Sequence, residues 1–207
     1  MRFDASLYLV SGQRLAAGSL VDLVPELVDA GVNIIQLREK ELEALDTIRT
    51  AEPIAGACRD AGVPFIINDR PDVALAVGAD GVHLGQNDLP VEVARRVLGD
   101  EPIVGRSTHT IEELDAEATR SGVDYIAVGP VTETPTKPGR PAAGLRLVEH
   151  AAARDIKIPW FAIGGINTEN LEQVTAAGAR RIVVVRAITE ADDPVAAASR
   201  LKELLPD

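Results

Sequence analysis

Residues 61–84 read AGVPFIINDRPDVALAVGADGVHL, and this one stretch carries the repeating pattern of the chain. Ala61-Gly62-Val63 closes a helical segment, Pro64–Asn68 is a short β-branched run, and a stretch with helical spacing follows. Val77-Gly78-Ala79 closes that stretch, and a second short aliphatic run, Gly81–Leu84, begins at once. Glycine just past a helix end takes the left-handed conformation without steric penalty, so it closes the last turn. Short aliphatic runs without polar alternation suit strands covered on both faces, as a parallel sheet requires.

The same grammar runs outward in both directions. Strands are expected at Ser6–Val10, Asn33–Leu37, Pro64–Asn68, Gly81–Leu84, Pro102–Gly105, Asp124–Val128, Pro159–Ile163 and Arg181–Val185. Further closures stand at Ala30-Gly31-Val32, Ser121-Gly122-Val123 and Ala177-Gly178-Ala179. Within Pro90–Leu98 the spacing places Val93, Val97 and Leu98 on one face, with Glu92, Arg95 and Arg96 outward. Pro25 falls inside the first helical pattern, so that helix is expected to start late or kink. Eight strand–helix units in 207 residues predict one domain over residues 1–207, an α/β fold of the small (β/α)₈ or TIM-barrel kind. An open doubly wound sheet also alternates strand and helix, but the first turn, Ser11-Gly12-Gln13-Arg14, is no dinucleotide fingerprint.

Composition narrows the function. The chain is 46% hydrophobic and 26% charged, and 21 Lys+Arg against 32 Asp+Glu give a net charge of −11. A chain so acidic, with no basic stripe, is not expected to bind nucleic acid. No apolar stretch approaches the roughly 18 residues of a membrane span. MRFDASLYLV lacks a signal-peptide pattern, so the expected location is the cytoplasm. The single Cys58 excludes an internal disulfide and a cysteine-rich zinc site.

In a barrel, functional residues follow the C-terminal ends of the strands. The second strand runs into Gln36-Leu37-Arg38-Glu39-Lys40, whose alternation puts Gln36, Arg38 and Lys40 on one face. Two cations and an amide there form an anion site, or else a solvated strand end. Asn68-Asp69 ends the third strand and Gly85-Gln86-Asn87-Asp88 follows the fourth. Asp69 and Asp88 facing an anion site would be the protein's share of a Mg²⁺–phosphate centre; alternatively each caps a helix. After the fifth strand, the hydroxyls of Gly105-Arg106-Ser107-Thr108-His109 either meet an anion or cap a helix near Thr110. His83 and His109 are read as structural or surface residues. No Gly-x-Ser-x-Gly elbow is present, which speaks against a serine hydrolase. The 129–144 segment, with four prolines, its hydroxyls, Lys137 and Arg140, reads as a phosphate clamp or an inert loop. Gly164-Gly165-Ile166-Asn167-Thr168 ends the seventh strand and Arg186 follows the eighth, which makes a second anion site.

Five segments in register resemble the thiamine-phosphate synthase family over nearly the whole chain. They are Gln36-Leu37-Arg38-Glu39-Lys40, Ile67-Asn68-Asp69-Arg70, Gly81–Asp88, Thr134-Pro135-Thr136-Lys137-Pro138 and Ile163-Gly164-Gly165-Ile166. The resemblance implies a barrel enzyme that joins 4-amino-5-hydroxymethyl-2-methylpyrimidine diphosphate to 4-methyl-5-(2-hydroxyethyl)thiazole phosphate, or its carboxylated form. The products would be thiamine phosphate and pyrophosphate. It further implies that Gln36, Arg38, Lys40, Asn68, Ser107 and Lys137 hold the pyrimidine diphosphate, with Arg38, Lys40, Ser107 and Lys137 serving the chemistry. Asp69 and Asp88 would hold Mg²⁺, and Thr134, Thr136, Gly165, Val185 and Arg186 would bind the thiazole phosphate. The resemblance leads one to expect a small hydroxyl residue at position 186, where this chain has Arg186. Three rivals remain: a thiazole tautomerase-like relative, an aldolase with a Schiff-base lysine at Lys40 or Lys137, and a non-catalytic binder of phosphorylated ligands.

Overall fold

Eight parallel strands close into a barrel, Leu7–Ser11 pairing on one side with Ile34–Leu37 and on the other with Ile182–Val184. The structure, a computed structural model, describes residues 5–133 and 142–206. The strands are β1 (Leu7–Ser11), β2 (Arg14–Leu15), β3 (Gly18–Ser19), β4 (Ile34–Leu37), β5 (Phe65–Asn68), β6 (Gly81–Leu84), β7 (Ile103–Thr108), β8 (Tyr125–Val128), β9 (Trp160–Ile163) and β10 (Ile182–Val184). The helices are α1 (Leu20–Asp29), α2 (Ala44–Ala61), α3 (Pro71–Val77), α4 (Val91–Leu98), α5 (Ile111–Glu117), α6 (Leu145–Ala153), α7 (Leu171–Ala176), α8 (Arg186–Thr189) and α9 (Pro194–Leu204). The chain is therefore a (β/α)₈ barrel, and its eight barrel strands match the expected runs to within a residue or two at most ends.

Two apolar layers follow from the alternation of side chains along each strand. Outward residues such as Leu7, Leu9, Ile35, Leu37, Val82 and Val104 pack against the helices. Inward residues, among them Tyr8, Ile34, Ile66, Tyr125, Phe161 and Val183, fill the barrel. Tyr8, Tyr125 and Phe161 meet edge-to-face with centroids 5.6–5.8 Å apart, a geometry worth about 0.5–1.5 kcal/mol per pair beyond area burial. Gly105 makes that plug possible: a Cβ there would stand 2.0 Å from the Tyr125 ring.

The glycines at the expected closures, Gly31, Gly62, Gly78, Gly122 and Gly178, all have positive φ. Several local expectations change. The fifth barrel strand continues through Thr108, so Arg106, Ser107 and Thr108 belong to β7 and not to a loop. Thr110 caps α5, its hydroxyl accepting from Glu113 N. Asp69 and Asp88 are not N-caps; Arg70 and Pro90 hold those positions. On α4 the buried face is Val91 and Ala94, while Val97 is exposed. Arg95 turns inward instead, because its guanidinium binds Asp124 and the carbonyls of Gly122, Gly99, Asp100 and Pro102. Pro25 lies within α1, which starts five residues earlier at Leu20. The β2–β3 hairpin is an addition that two-residue strands do not announce in sequence; Gln13 N donates to Glu39 Oε1 at 2.6 Å and Ala16 N to Thr189 O at 2.7 Å.

Candidate active site

The inward parity that fills the barrel with apolar rings turns polar toward the strand C-termini. Gln36 on β4, Asn68 on β5, His83 on β6 and Ser107 on β7 continue the inward rows begun by Ile34, Ile66, Gly81 and Ile103. They line a cavity of about 460 Å³, which is a ligand-sized space. Arg38, two residues beyond Gln36, also lines it. The opposite wall is made by Gly164, Gly165 and Ile166 after β9 and by Val185, Arg186 and Glu190 after β10.

Of the residues singled out in sequence, Gln36, Arg38, Asn68, Ser107, Gly165, Val185 and Arg186 meet at this one cavity. Lys40, Asp69 and Asp88 are not part of its lining. They form a second cluster, with Lys40 Nζ 3.1 Å from Asp69 Oδ2 and the Asp69 and Asp88 carboxyls hydrogen-bonded. Thr134, Thr136 and Lys137 lie outside the described residues.

The carboxyl cluster is held under tension. Asp69 has φ 64°, the one positive φ outside glycine among the described residues. Non-glycine residues rarely adopt that region, and such outliers gather at functional sites. Burial, and then the hydrogen bond and charge of Asp88, push the Asp69 carboxyl above its ordinary range, despite Lys40 pulling the other way. Asp88 Oδ2 accepts from Gly85 N at 2.7 Å, which fixes the loop that carries it. Two crowded carboxyl groups are a donor set suited to a hard divalent cation with water and phosphate oxygens completing the shell.

The opposite wall depends on missing side chains. Gly164 (φ 104°) and Gly165 (φ 67°) turn against the segment after β8. A Cβ at Gly164 would stand 2.4 Å from Pro130 Cβ, and one at Gly165 1.8 Å from Thr132 Oγ1. The Gly129–Pro130 peptide on that facing segment is cis. Arg186 Nη1 lies 3.5 Å from Oε2 of Glu190, the residue that follows α8, and is half-exposed at the cavity edge.

Sequence reading missed part of the wall. His83 is buried, stacked on Tyr125 with centroids 5.5 Å apart, and Tyr8 reaches the cavity floor. His109 also lines the cavity, its Nδ1 2.6 Å from Gly129 O. The available signal was parity: Tyr8, His83 and His109 all stand at inward positions of their strands or one step past them. Arg106 faces outward; it bonds buried Glu117, Gly85 O and Gln86 Oε1, and so braces the Asp88 loop from behind.

Residues 7–188 match the family described as thiamine monophosphate synthase. The thiamine-phosphate synthase of Saccharopolyspora erythraea is 53% identical over 208 residues, covering 98% of this chain and 93% of that protein. That of Thermobifida fusca is 54% identical over 202 residues, with the same coverages of 98% and 93%. Among solved structures, thiamine phosphate pyrophosphorylase from Pyrococcus furiosus superposes with a TM-score of 0.85 at 34% identity, covering 96% of this chain and 94% of that one. A 3-hexulose-6-phosphate synthase, 21% identical with a TM-score of 0.64 and coverages of 96% and 99%, shares the fold alone. The family match and these coverages place the chain in the thiamine monophosphate synthase family.

Proposed function

We propose that this barrel joins the aminopyrimidine diphosphate to the thiazole phosphate, or to its carboxylated form, releasing pyrophosphate and forming thiamine phosphate. The observation that carries the reading is one cavity with an amide and a cation on one wall and a glycine turn with Arg186 on the other. Two phosphorylated reactants need two such walls facing each other. The carboxyl pair Asp69–Asp88 beside Lys40 stands next to the first wall.

In this reading Gln36, Asn68 and Ser107 seat the pyrimidine, while Arg38, Lys40 and Lys137 hold its diphosphate. Thr134, Thr136, Gly165, Val185 and Arg186 seat the thiazole phosphate. Asp69 and Asp88 would hold Mg²⁺, which when bound would neutralise charge on the diphosphate oxygens. Bond cleavage sends an electron pair to the departing diphosphate, and the guanidinium of Arg38 with the ammonium groups of Lys40 and Lys137 stabilise that developing charge. The aminopyrimidine delocalises the cation left on its methylene carbon, and the thiazole nitrogen captures it. No protein nucleophile is needed; the walls align two reactants and exclude water. The whole chain, 1–207, acts as one catalytic domain in the cytoplasm, with small phosphorylated molecules as its partners.

The test is pyrophosphate release from the purified protein with Mg²⁺ and both substrates, omitting each in turn. Pyrophosphate and thiamine phosphate appearing together, and neither appearing without Mg²⁺, is the expected result. Tight binding of one substrate with no product in any combination would favour an isomerase or a binding protein.

A further inference from the structure

Five side chains form an unbroken hydrogen-bonded chain across the barrel interior, and its direction can be read by following the protons. Gln36 Nε2 donates to Tyr8 Oη, which lies 2.8 Å from Tyr125 Oη. Tyr125 Oη is 2.8 Å from His83 Nδ1, and His83 Nε2 is 2.8 Å from Ser107 Oγ. All five residues are buried, where a polar hydrogen without an acceptor is costly. An amide nitrogen only donates. Tyr8 therefore accepts from Gln36 and passes its own proton to Tyr125, and Tyr125 passes its proton to His83 Nδ1. The imidazole hydrogen then sits on Nε2 and goes to Ser107, whose own proton is directed at the cavity. At the other end, the amide that gives its nitrogen to Tyr8 is left with its carbonyl oxygen for the cavity.

We infer that Tyr8, Tyr125 and His83 are positioning residues for the ring-binding wall: they form a one-way relay that presents Gln36 as an acceptor and Ser107 as a donor to the bound ring. The inference rests on the synthase reading for the identity of that ring. Its consequence is a rule of recognition. The group meeting Gln36 must bring a hydrogen, as an exocyclic amino group does, and the group meeting Ser107 must bring a lone pair. A pyrimidine diphosphate with a carbonyl in place of the amino group would set acceptor against acceptor. Sites built to receive a hydrogen reject such analogues strongly, here on the order of 100-fold or more.

Two measurements decide it. The first is the ¹⁵N spectrum of imidazole-labelled, ligand-free protein, which contains three histidines, His83 being assigned by substituting His109 and His150 with Gln. His83 with hydrogen on Nε2 is expected; hydrogen on Nδ1 would overturn the relay with all five of its side chains in place. The second compares affinity for the amino and carbonyl pyrimidine diphosphates in the unaltered protein and in Tyr8→Phe. Removing the Tyr8 hydroxyl frees the Gln36 amide to turn, so the preference for the amino ring should fall at least ~10-fold. Inorganic pyrophosphate binding should stay as it was. A general structural defect would weaken both rings equally and leave the ratio unchanged, and that result overturns the inference. If the unaltered protein binds neither ring although His83 carries its hydrogen on Nε2, the substrate reading fails, and the relay keeps its direction but loses this role.

Discussion

Asp69 shows how much one residue can be asked to hold. Its backbone is left-handed at φ 64°, and its carboxyl is pushed up by burial and by Asp88 more than Lys40 lowers it. Both features are unfavourable to the fold by themselves, and a bound divalent cation would offset the second. Asn tolerates the left-handed region far better than most residues, so Asp69→Asn removes the charge and keeps the backbone. Mg²⁺-dependent pyrophosphate release by Asp69→Asn should drop ~100-fold or more, with far-ultraviolet dichroism unchanged. Mg²⁺ should raise the melting temperature of the parent protein and leave that of Asp69→Asn where it was. Asp69→Ala, which cannot relax into this conformation as easily, should be about 1 kcal/mol less stable than Asp69→Asn, a gap of roughly 2–4 °C. Equal melting of the two variants would remove the strain argument, and full activity in Asp69→Asn would remove Asp69 from the metal centre.

At the scale of one element, β7 shows what the sequence could and could not disclose. The aliphatic start, Ile103-Val104, was legible, but Arg106-Ser107-Thr108 reads as a polar loop. The ladder nevertheless continues, with Arg106 opposite Ile126, Ser107 opposite Ala127 and Thr108 opposite Val128. Each polar side chain finds a partner distant in the chain: Glu117 for Arg106, His83 for Ser107 and Ala127 O for Thr108. Such partners cannot be read from local spacing. The glycine closures could be, because their left-handed backbone is a local demand, and so could Gln36, Arg38 and Asn68, which simply extend an apolar inward row. Tyr8, His83 and Tyr125 were obscured because an isolated tyrosine or histidine in an apolar strand has the same local pattern whether it packs or hydrogen-bonds. The Arg106–Glu117 pair is buried on both sides, so Arg106→Met strands a buried carboxylate. Arg120, 2.7 Å from Glu117, softens the loss, which puts it near the lower end of the usual 3–5 kcal/mol, or about a 10 °C fall in melting temperature. Replacing both, as Arg106→Met with Glu117→Leu, should recover part of that stability, read from a double-mutant cycle in thermal melts. No recovery would mean that Arg106 acts through its bonds to Gly85 and Gln86 instead.

For the whole molecule, the decisive fact is that both tyrosines of the chain, Tyr8 and Tyr125, are buried in the barrel interior. Burial raises each phenol well above its ordinary value, more than their neighbours lower it for Tyr8, and for Tyr125 the proximity of Tyr8 raises it further. The unfolded chain releases these protons near pH 10. A phenol whose folded value is raised contributes stability that is complete below that pH. The contribution is lost as pH climbs from there toward the folded value. The chain also carries a net charge of −11 near neutrality, and deprotonation of its lysines adds to that self-repulsion over the same alkaline range. Stability should therefore fall steeply above about pH 10, and the fold should give way before either tyrosine ionises in place. Absorbance of the tyrosinate band and far-ultraviolet ellipticity, followed together with rising pH, test this directly. A single coincident transition, in which tyrosinate appears only as ellipticity is lost, is the expected outcome. Gradual tyrosinate formation around pH 10 with ellipticity intact would mean that water reaches the relay through the cavity mouth. The barrel interior would then be a wet channel, and an apolar plug of Tyr8, Tyr125 and Phe161 could not be what separates the reacting end of the barrel from its base.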